Sequence, residues 1–423
     1  MNDLEFQPRQ VARKSLGNLW KAIFIAATLL GVLSLATLLY TIVDETFGLV
    51  ALEFTTPPEE LALVPNKAIE DHTSVELAAV VRQALEDGVG TLTPGIVSNY
   101  ETLQAKPLEQ WPKADILDMI YTDILEIEVQ ETFGLVESLF QKDRITIAVA
   151  EEYPDATLIF RSWMSGDFLT GDQSSLVLNA GIRSAIFGTL WTIIIAILFA
   201  FPIGVGAAIY LQEYAGDTRL NRFIQTNIYN LAGVPSIIYG MLGLALFVRA
   251  LEPLTSGEMF GGVDPVTANG RTILSAGLTL GILILPVIII NAQEAFKAIP
   301  NSLRYSAYGV GATRWQMIWH HLLPASFDRV LTGTVFAVSR AIGETAPVVV
   351  IGASTFLTLD PTGPFSKFTV LPMQIYTWTA RPEAGFKNAA GAAILILLIL
   401  LVALNLSAIL YRNHLRKTKE ASS

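Results

Sequence analysis

An arginine and a glutamate four residues apart, Arg340 and Glu344, lie inside Val330–Leu357, an apolar stretch long enough to cross a bilayer. A lone ionised side chain near the bilayer centre costs roughly 2.5–3.5 kcal/mol on insertion scales, so the pair needs a purpose. At i and i+4 of a helix the two side chains stand one above the other. A guanidinium stays charged and offers a planar fork to an oxyanion. The carboxylate beside it would orient that fork and keep it from trapping the anion; a purely structural ion pair is the simpler alternative. Gly333, Ala337, Gly343 and Pro347 share the charged face, and Leu331, Val335, Val338, Ile342 and Val349 lie opposite, so the charged face is expected to be the close-packed one. Ser236, directly after Pro235, is another polar group in an apolar run. A helix interrupted there would turn backbone amides and the Ser236 hydroxyl toward a polar path, unless the proline only kinks it. Pro202-Ile-Gly204-Val-Gly206 poses the same choice.

Other chemistries are excluded. The chain has no cysteine, so it has no disulfide, thiolate zinc site or iron–sulfur cluster. The four histidines, His72, His320, His321 and His414, are too scattered for a convincing histidine metal site. The dipeptide Gly-Lys never occurs, so there is no phosphate loop for ATP hydrolysis. The apolar runs carry no His-Glu-x-x-His, no Gly-x-Ser-x-Gly and no paired aspartates, which disfavours an intramembrane enzyme.

The elements that must position these residues are set by lipid. Of 423 residues 52% are hydrophobic and 16% charged, against about 25% charged in soluble domains. Six apolar runs reach the length of about 20 residues that a spanning helix needs: Leu19–Val43, Ala180–Leu211, Ile228–Leu251, Thr272–Asn291, Val330–Leu357 and Ala389–Tyr411. The first is too long for a secretory signal and lacks a cleavage site, so it is read as an uncleaved anchor. Arg9, Arg13, Lys14 and Lys21 precede it, and Arg412, Arg416, Lys417 and Lys419 follow the last span. Positive flanks stay in the cytoplasm, so both termini and the loops 212–227 and 292–329 are expected inside. The loop 252–271, with Glu252, Glu258 and Asp264, is expected outside.

Between the first two runs, residues 44–178 hold 25 acids against 7 bases, a balance of −18, while the rest of the chain stands at +8. This insert is expected to be a folded α+β extracytoplasmic domain. Helical spacing runs over Val75–Leu85 and over Ile116–Phe140 with an interruption near Gly134, and Ile145–Val149 alternates like a strand. The hexapeptide Glu-Thr-Phe-Gly-Leu-Val occurs at Glu45–Val50 and again at Glu131–Val136. An acidic domain repels anions and nucleic acid, so it is not expected to be an anion receptor, and no nucleic-acid partner is expected.

The loop after the fourth run reads Asn301-Ser-Leu-Arg304-Tyr305-Ser306-Ala307-Tyr-Gly-Val-Gly311-Ala-Thr-Arg-Trp-Gln-Met-Ile-Trp-His-His-Leu-Leu-Pro324. Ser302–Tyr308 is expected to be a short helix ended by Gly309 and Gly311, and Thr313–Leu323 a second, stopped by Pro324. Paired amphipathic helices exceed what a connection needs, which favours docking.

This loop resembles the coupling loop of ATP-binding-cassette importer permeases, where a glycine lies thirteen residues before a Leu-Pro proline, as Gly311 does before Pro324. The family's Glu-Ala-Ala falls on Tyr305-Ser306-Ala307, and only the second alanine is kept, so a role tied to that glutamate does not transfer. Leu231-Ala-Gly-Val-Pro-Ser-Ile-Ile-Tyr-Gly240, Ser339-Arg-Ala-Ile-Gly-Glu-Thr-Ala-Pro347 and Tyr210-Leu-Gln-Glu-Tyr214 are similar to the PstA-type permeases of phosphate importers, over residues 180 to 411. The resemblance implies an all-α polytopic membrane protein, six transmembrane helices of type I importer architecture, here with the α+β domain inserted on the periplasmic side. Its parts would be residues 1–43 as cytoplasmic start and anchor, 44–178 as the acidic domain, 179–411 as the permease and 412–423 as a basic tail. Arg340, Glu344 and Ser236 would line the path; Arg304, Tyr305, Ser306, Ala307, Gly311 and Pro324 would couple it to an ATPase. The implied partners are a second, PstC-like permease, a PstB-like ATP-binding dimer, a PstS-like periplasmic phosphate-binding protein and the lipid of the inner membrane. No cofactor is implied. A molybdate or sulfate permease would share the Gly311–Pro324 loop; a membrane sensor would need an output module, and only 12 residues follow Tyr411.

The charge opposition makes a direct prediction. Reporter fusions are expected to place residues 60–170 outside and both termini inside; a cytoplasmic signal at residue 120 would overturn the topology.

Overall fold

The computed structural model describes residues 10–54, 69–89, 97–98, 101, 106–125, 127–261, 270–354, 356–357 and 360–422. Of the residues used for topology, Arg9 and Asp264 lie outside these. Helix α1 (Gln10–Thr46) passes without a linker into strand β1 (Phe47–Phe54). Then come α2 (Ser74–Asp87), α3 (Lys113–Met119), β2 (Ile127–Thr132), α4 (Leu135–Phe140), α5 (Lys142–Glu152), β3 (Thr157–Ser162) and α6 (Gly166–Thr170). The second half is helical: α7 (Arg183–Ile209), α8 (Arg219–Ala232), α9 (Ser236–Gly243), α10 (Ile273–Lys297), α11 (Asn301–Gly309), α12 (Arg314–Met317), α13 (Leu323–Gly343), α14 (Ala346–Ile351), α15 (Leu371–Thr379) and α16 (Phe386–Ser422).

Four helices are long and apolar enough to cross a membrane among the described residues, and a fifth span results if α8 and the α9 segment, bent by 104°, count as one. The expected fifth span, Val330–Leu357, is not one continuous helix. Its helix α13 ends at Gly343, Glu344 is extended, and α14 restarts at Ala346. Pro202, by contrast, does not interrupt α7, which runs through it to Ile209.

Helix α1 is exposed along its apolar length. Its hydroxyls are satisfied internally: Thr28, Ser34, Thr37 and Thr41 each donate to the carbonyl four residues back, at 2.8–3.0 Å. That pattern suits lipid, which offers no alternative acceptor. The permease core lies between α7, α10 and α13, where Ala196, Ala276, Leu280, Ile284, Ala337 and Ala341 are buried together.

The acidic insert carries an antiparallel sheet in the order β2-β1-β3. Central strand β1 is buried on both faces. Leu49 and Ala51 pack on Ile145 and Val149 of α5. Val50 and Leu52 pack in one cluster with Trp163, Phe168, Trp378, Phe386 and Ala389, so the sheet shares a hydrophobic core with the end of α15 and the start of α16. The helical lobe around α2 and α3 has its own core, built on Leu77, Val81, Leu108 and Ile120. Helix α2 spans the expected Val75–Leu85 and starts with a capping box between Thr73 and Glu76.

Two local expectations are corrected. Residues Ile145–Val149 are helical, inside α5: Ile145 and Val149, four apart, are buried and Ile147 between them is exposed. The alternation there is incidental to an i,i+4 stripe. Conversely, the helical reading of Ile116–Phe140 contains a strand, because Ile127-Glu-Val-Gln-Glu-Thr alternates and pairs with β1.

The repeated hexapeptide takes two conformations. The first copy ends α1 and begins β1; the second ends β2 and begins α4. The copies lie side by side, with Val50 opposite Thr132 and the Phe133 amide donating to the Leu49 carbonyl at 2.9 Å. A Cβ on Gly48 would lie 1.9 Å from the Phe133 carbonyl oxygen, so this backbone approach admits only glycine.

Overpacking of this kind costs about 1–3 kcal/mol or more. The Gly48→Val protein is expected to melt at lower temperature in detergent than the parent, whereas Gly17→Ala, with no atom within 4 Å of its new Cβ, leaves melting unchanged. An unaltered melting curve for Gly48→Val would show that the two copies are not tightly apposed.

Candidate coupling and translocation sites

The loop between α10 and α13 is a folded hairpin. Helix α11 is two turns long and ends through Gly311, whose φ is +84°. The Gly311 amide donates to Tyr308 O at 2.9 Å and the Ala312 amide to Ala307 O at 3.1 Å, which satisfies the last carbonyls of α11. Gly309 is still helical, so only Gly311 makes the expected turn. No atom lies within 4 Å of a Cβ added at Gly311, so the demand there is for left-handed backbone and not for space. Thr313 and Gln316 form a capping box that starts α12.

Pro324 does not stop the second helix. The chain stays helical from α12 through a π turn, Ile318–Leu322, into α13. The Leu323 amide bonds five residues back to Ile318 O, and this widened turn accommodates a proline that has no amide to donate. Ala307, Met317, Ile318 and Leu322 pack with Phe296, so the hairpin rests on the end of α10. Ala307 is buried, which explains a small residue there. Tyr305, Val310, Trp315 and Trp319 are exposed, with the two tryptophan rings stacked at 5.6 Å. The Ser306 hydroxyl bonds back to Leu303 O.

Arg304 faces inward, away from the exposed side. Its Nη2 lies 2.9 Å from Glu213 Oε1, and the two side chains are 12% and 7% exposed. The same guanidinium donates to Phe296 O at 2.9 Å, Ile299 O at 2.8 Å and Asn301 Oδ1 at 3.2 Å. Arginine thus caps the carbonyl end of α10, where a positive charge is favoured by the helix dipole, and ties it to the π turn after α7 that carries Glu213. Glu213 was missed as a functional residue from sequence. The available signal was an acid at the end of the apolar run Ala180–Leu211, followed by Arg219 and Arg222.

The residues expected to line a path, Ser236, Arg340 and Glu344, sit at two helix breaks. Between α8 and α9, Pro235 is extended and Ser236 opens the new helix. This is a bend of 104°, not a kink. The buried Tyr239 hydroxyl donates to Leu231 O at 2.7 Å and so closes the freed end of α8. The second break follows Gly343. Helix α9 packs on α14 across it: a Cβ on Gly240 would meet Pro347 Cα at 2.7 Å. Ser236 is one turn before Gly240 on the same face. Arg340 Nε and Glu344 Oε1 are 3.3 Å apart, with side chains 42% and 19% exposed. The pair therefore forms although Glu344 has left the helix.

The face assignment is corrected. Thr334, Ala337, Val338, Ala341 and Ile342 are buried within the chain, whereas Arg340 and Gly343 are exposed. The packed side mixes small and large residues: Ala337 and Ala341 are buried with Val338 and Ile342, and a Cβ on Gly333 would lie 2.5 Å from Asn291 Cβ of α10. Glu344 engages only Nε, and among the described residues the Arg340 Nη groups have no hydrogen-bond partner in this chain.

The Arg304–Glu213 pair yields a prediction. Removing one partner of a buried pair costs about 3–5 kcal/mol because the other charge is left uncompensated. Arg304→Met should lower the melting temperature and make residues 298–313 protease-sensitive, and the double change Arg304→Met with Glu213→Leu should regain most of the loss. Equal stability of Arg304→Met and the parent would overturn this role.

Residues 200–420 match the family described as binding-protein-dependent transport system inner membrane component. The probable ABC transporter permease protein YqgI of Bacillus subtilis (strain 168) is 27% identical over 253 residues, covering 56% of this chain and 81% of that protein. The phosphate transport system permease protein PstA 1 of Mycobacterium tuberculosis (strain H37Rv) is 34% identical over 234 residues, covering 55% and 70%. The phosphate transport system permease protein PstC of Pasteurella multocida (strain Pm70) is 36% identical over 216 residues, covering 47% and 67%. The expected resemblance is thus found by comparison, over the half of the chain that holds both breaks and the hairpin. The chain belongs to the family of binding-protein-dependent transport inner membrane components and is similar within it to the PstA-type phosphate permeases.

Proposed function

We propose that the chain is the membrane-spanning permease subunit of an ATP-driven importer of inorganic phosphate, forming half of the translocation path. The observation that carries this reading is the open guanidinium fork of Arg340. It stands at the break between α13 and α14, beside the break that Ser236 begins, and Glu344 engages only one of its nitrogens. Fixed charge-assisted donors at a helix break suit a divalent oxyanion that must bind weakly enough to leave. The phosphate permeases among its relatives support this choice of anion.

The remaining parts follow the same reading. On this reading the broken α13–α14 segment supplies the sixth span of a type I architecture, with both termini on the cytoplasmic side of the inner membrane and the acidic α+β domain in the periplasm. Arg340 is exposed in the single chain, as expected of a residue facing a path closed by a second, PstC-like permease. The exposed Tyr305, Val310, Trp315 and Trp319 give a PstB-like ATPase an aromatic docking surface, while Arg304 holds the hairpin in place behind it. A PstS-like phosphate-binding protein delivers the anion, because the acidic domain of this chain would repel it.

Uptake of radiolabelled phosphate in cells without other phosphate importers tests the reading. Arg340→Gln should abolish uptake while the complex still assembles. The loss expected from a charge-assisted contact of about 1.5–3 kcal/mol is roughly 10- to 100-fold. Glu344→Gln should impair uptake too, because the unpaired arginine then holds the anion. A structural pair predicts recovery when both are changed to Gln or Leu; a transport role predicts a double mutant as inactive as Arg340→Gln. Recovery would refute the transport role, and uptake of sulfate or molybdate in place of phosphate would reassign the anion.

A further inference from the structure

Helix α4 lies where the acidic domain meets α1, and its position relative to the bilayer follows from two hydrogen bonds. The uncharged run of α1 extends from Ala22 to Val43, between Lys21 and Asp44. At 1.5 Å per residue these residues span roughly 33 Å, close to the thickness of a hydrocarbon core of about 30 Å. Asp44 therefore marks the boundary. Asp44 Oδ1 accepts from the Val136 amide at 2.8 Å, which places the start of α4 at that boundary. Ser138 Oγ accepts from the Leu49 amide at 2.8 Å and fixes the opposite face of α4 against the beginning of β1.

The face left over is apolar. On a helix, positions 136 and 140 are four apart, and both lie opposite 138. Phe140 is 82% exposed and Leu139 64%. A phenylalanine so exposed, beside an exposed leucine, at the edge of a span exposed along its apolar length, continues the outward-facing apolar surface of α1. The charge pattern agrees. The domain is strongly acidic, yet Glu137 and Asp143 around this point are balanced by Lys142 and Arg144. Helix α4 and the turn after it are thus neutral, whereas the rest of the domain, Asp44 and Glu45 included, would be repelled by anionic lipid.

We propose that α4 is an interfacial wedge, with Leu139 and Phe140 seated among the acyl-chain ends of the leaflet on the Asp44 side. The occupant of this surface is lipid, engaged by apolar contact. Because the local charge is balanced, engagement does not depend on anionic headgroups. The inference rests on α1 spanning the bilayer, and the test below reads that separately.

The chain has no cysteine, so single cysteines at Phe140, Leu35 and Val75, all exposed positions, can be labelled with an environment-sensitive fluorophore in the full-length protein. The labelled proteins are placed in nanodiscs of zwitterionic phosphatidylcholine carrying nitroxides either near the headgroup end or near the tail end of the acyl chain. The probe at 140 should be quenched more by the shallow nitroxide than by the deep one, the probe at 35 more by the deep one, and the probe at 75 by neither. Adding anionic lipid should leave the quenching at 140 unchanged. Quenching at 35 with a water-accessible, unquenched probe at 140 overturns the wedge alone. Protection of 140 from aqueous iodide without nitroxide quenching also overturns it, and assigns the face to a protein neighbour. Loss of quenching at 35 overturns the span and the wedge with it.

Discussion

Hydrocarbon offers no partner to a freed backbone group, so a helix that breaks within it must be closed by the protein itself. This chain breaks twice in its permease half, and both breaks are closed from within. Tyr239 donates its hydroxyl to Leu231 O, at the end of α8. At the second break, the Glu344 amide donates to Ala341 O at 3.2 Å and the Val349 amide to Thr345 O at 3.0 Å. The breaks are thereby fixed features, and they are what seat α9 against α14 at Gly240 and Pro347 and leave Arg340 bonded to Glu344. The same rule operates at the membrane edge, where Arg304 caps the carbonyls that end α10.

The acidic domain is built into this scaffold and does not hang from it. Its central strand continues α1, its sheet packs on Trp378 and Phe386, and the buried Gln173 amide bonds Gln374 of α15. The lobe around α2 and α3 has a core of its own, and Leu49 and Ala51 form a smaller one with Ile145 and Val149 of α5. Any displacement of α15 or the start of α16 is therefore shared by the sheet, while the lobe is carried along as a separate mass.

What could be read from sequence followed from chemistry with a single solution. Apolar runs against charged flanks located α1, α7, α10 and α16, and the charge balance isolated the acidic insert. A glycine thirteen residues before a proline located the hairpin, and the i,i+4 pair Arg340/Glu344 was found bonded. The failures have equally specific causes. Ile145-Thr-Ile-Ala-Val149 satisfies period two and period four at once, and only the neighbouring strand selects between them. The helical stripe that was read across Ile116–Phe140 ignored the gain from pairing Ile127–Thr132 with β1. Pro324 looked like a stop because the π turn that admits it depends on packing of Ile318 and Leu322. Arg304 was placed in the right loop, but its inward direction depends on Glu213, 91 residues earlier.

The hydrogen bond from Asn388 Nδ2 to Glu45 O joins residues 343 positions apart. It pins the C-terminal end of α1 to α16, which is synthesised long after it, while the rest of α1 faces outward. On the ribosome, at about 5–20 residues per second, the first span thus waits roughly 20–70 s for this partner. Through that interval α1 must persist as a lone helix in lipid, and its back-bonded hydroxyls equip it to do so. β1 meanwhile waits for α16 to bring the other half of its core. Within the acidic domain the two self-contained cores can form early, and the β1 face toward Trp378 and Phe386 is closed only after those residues emerge.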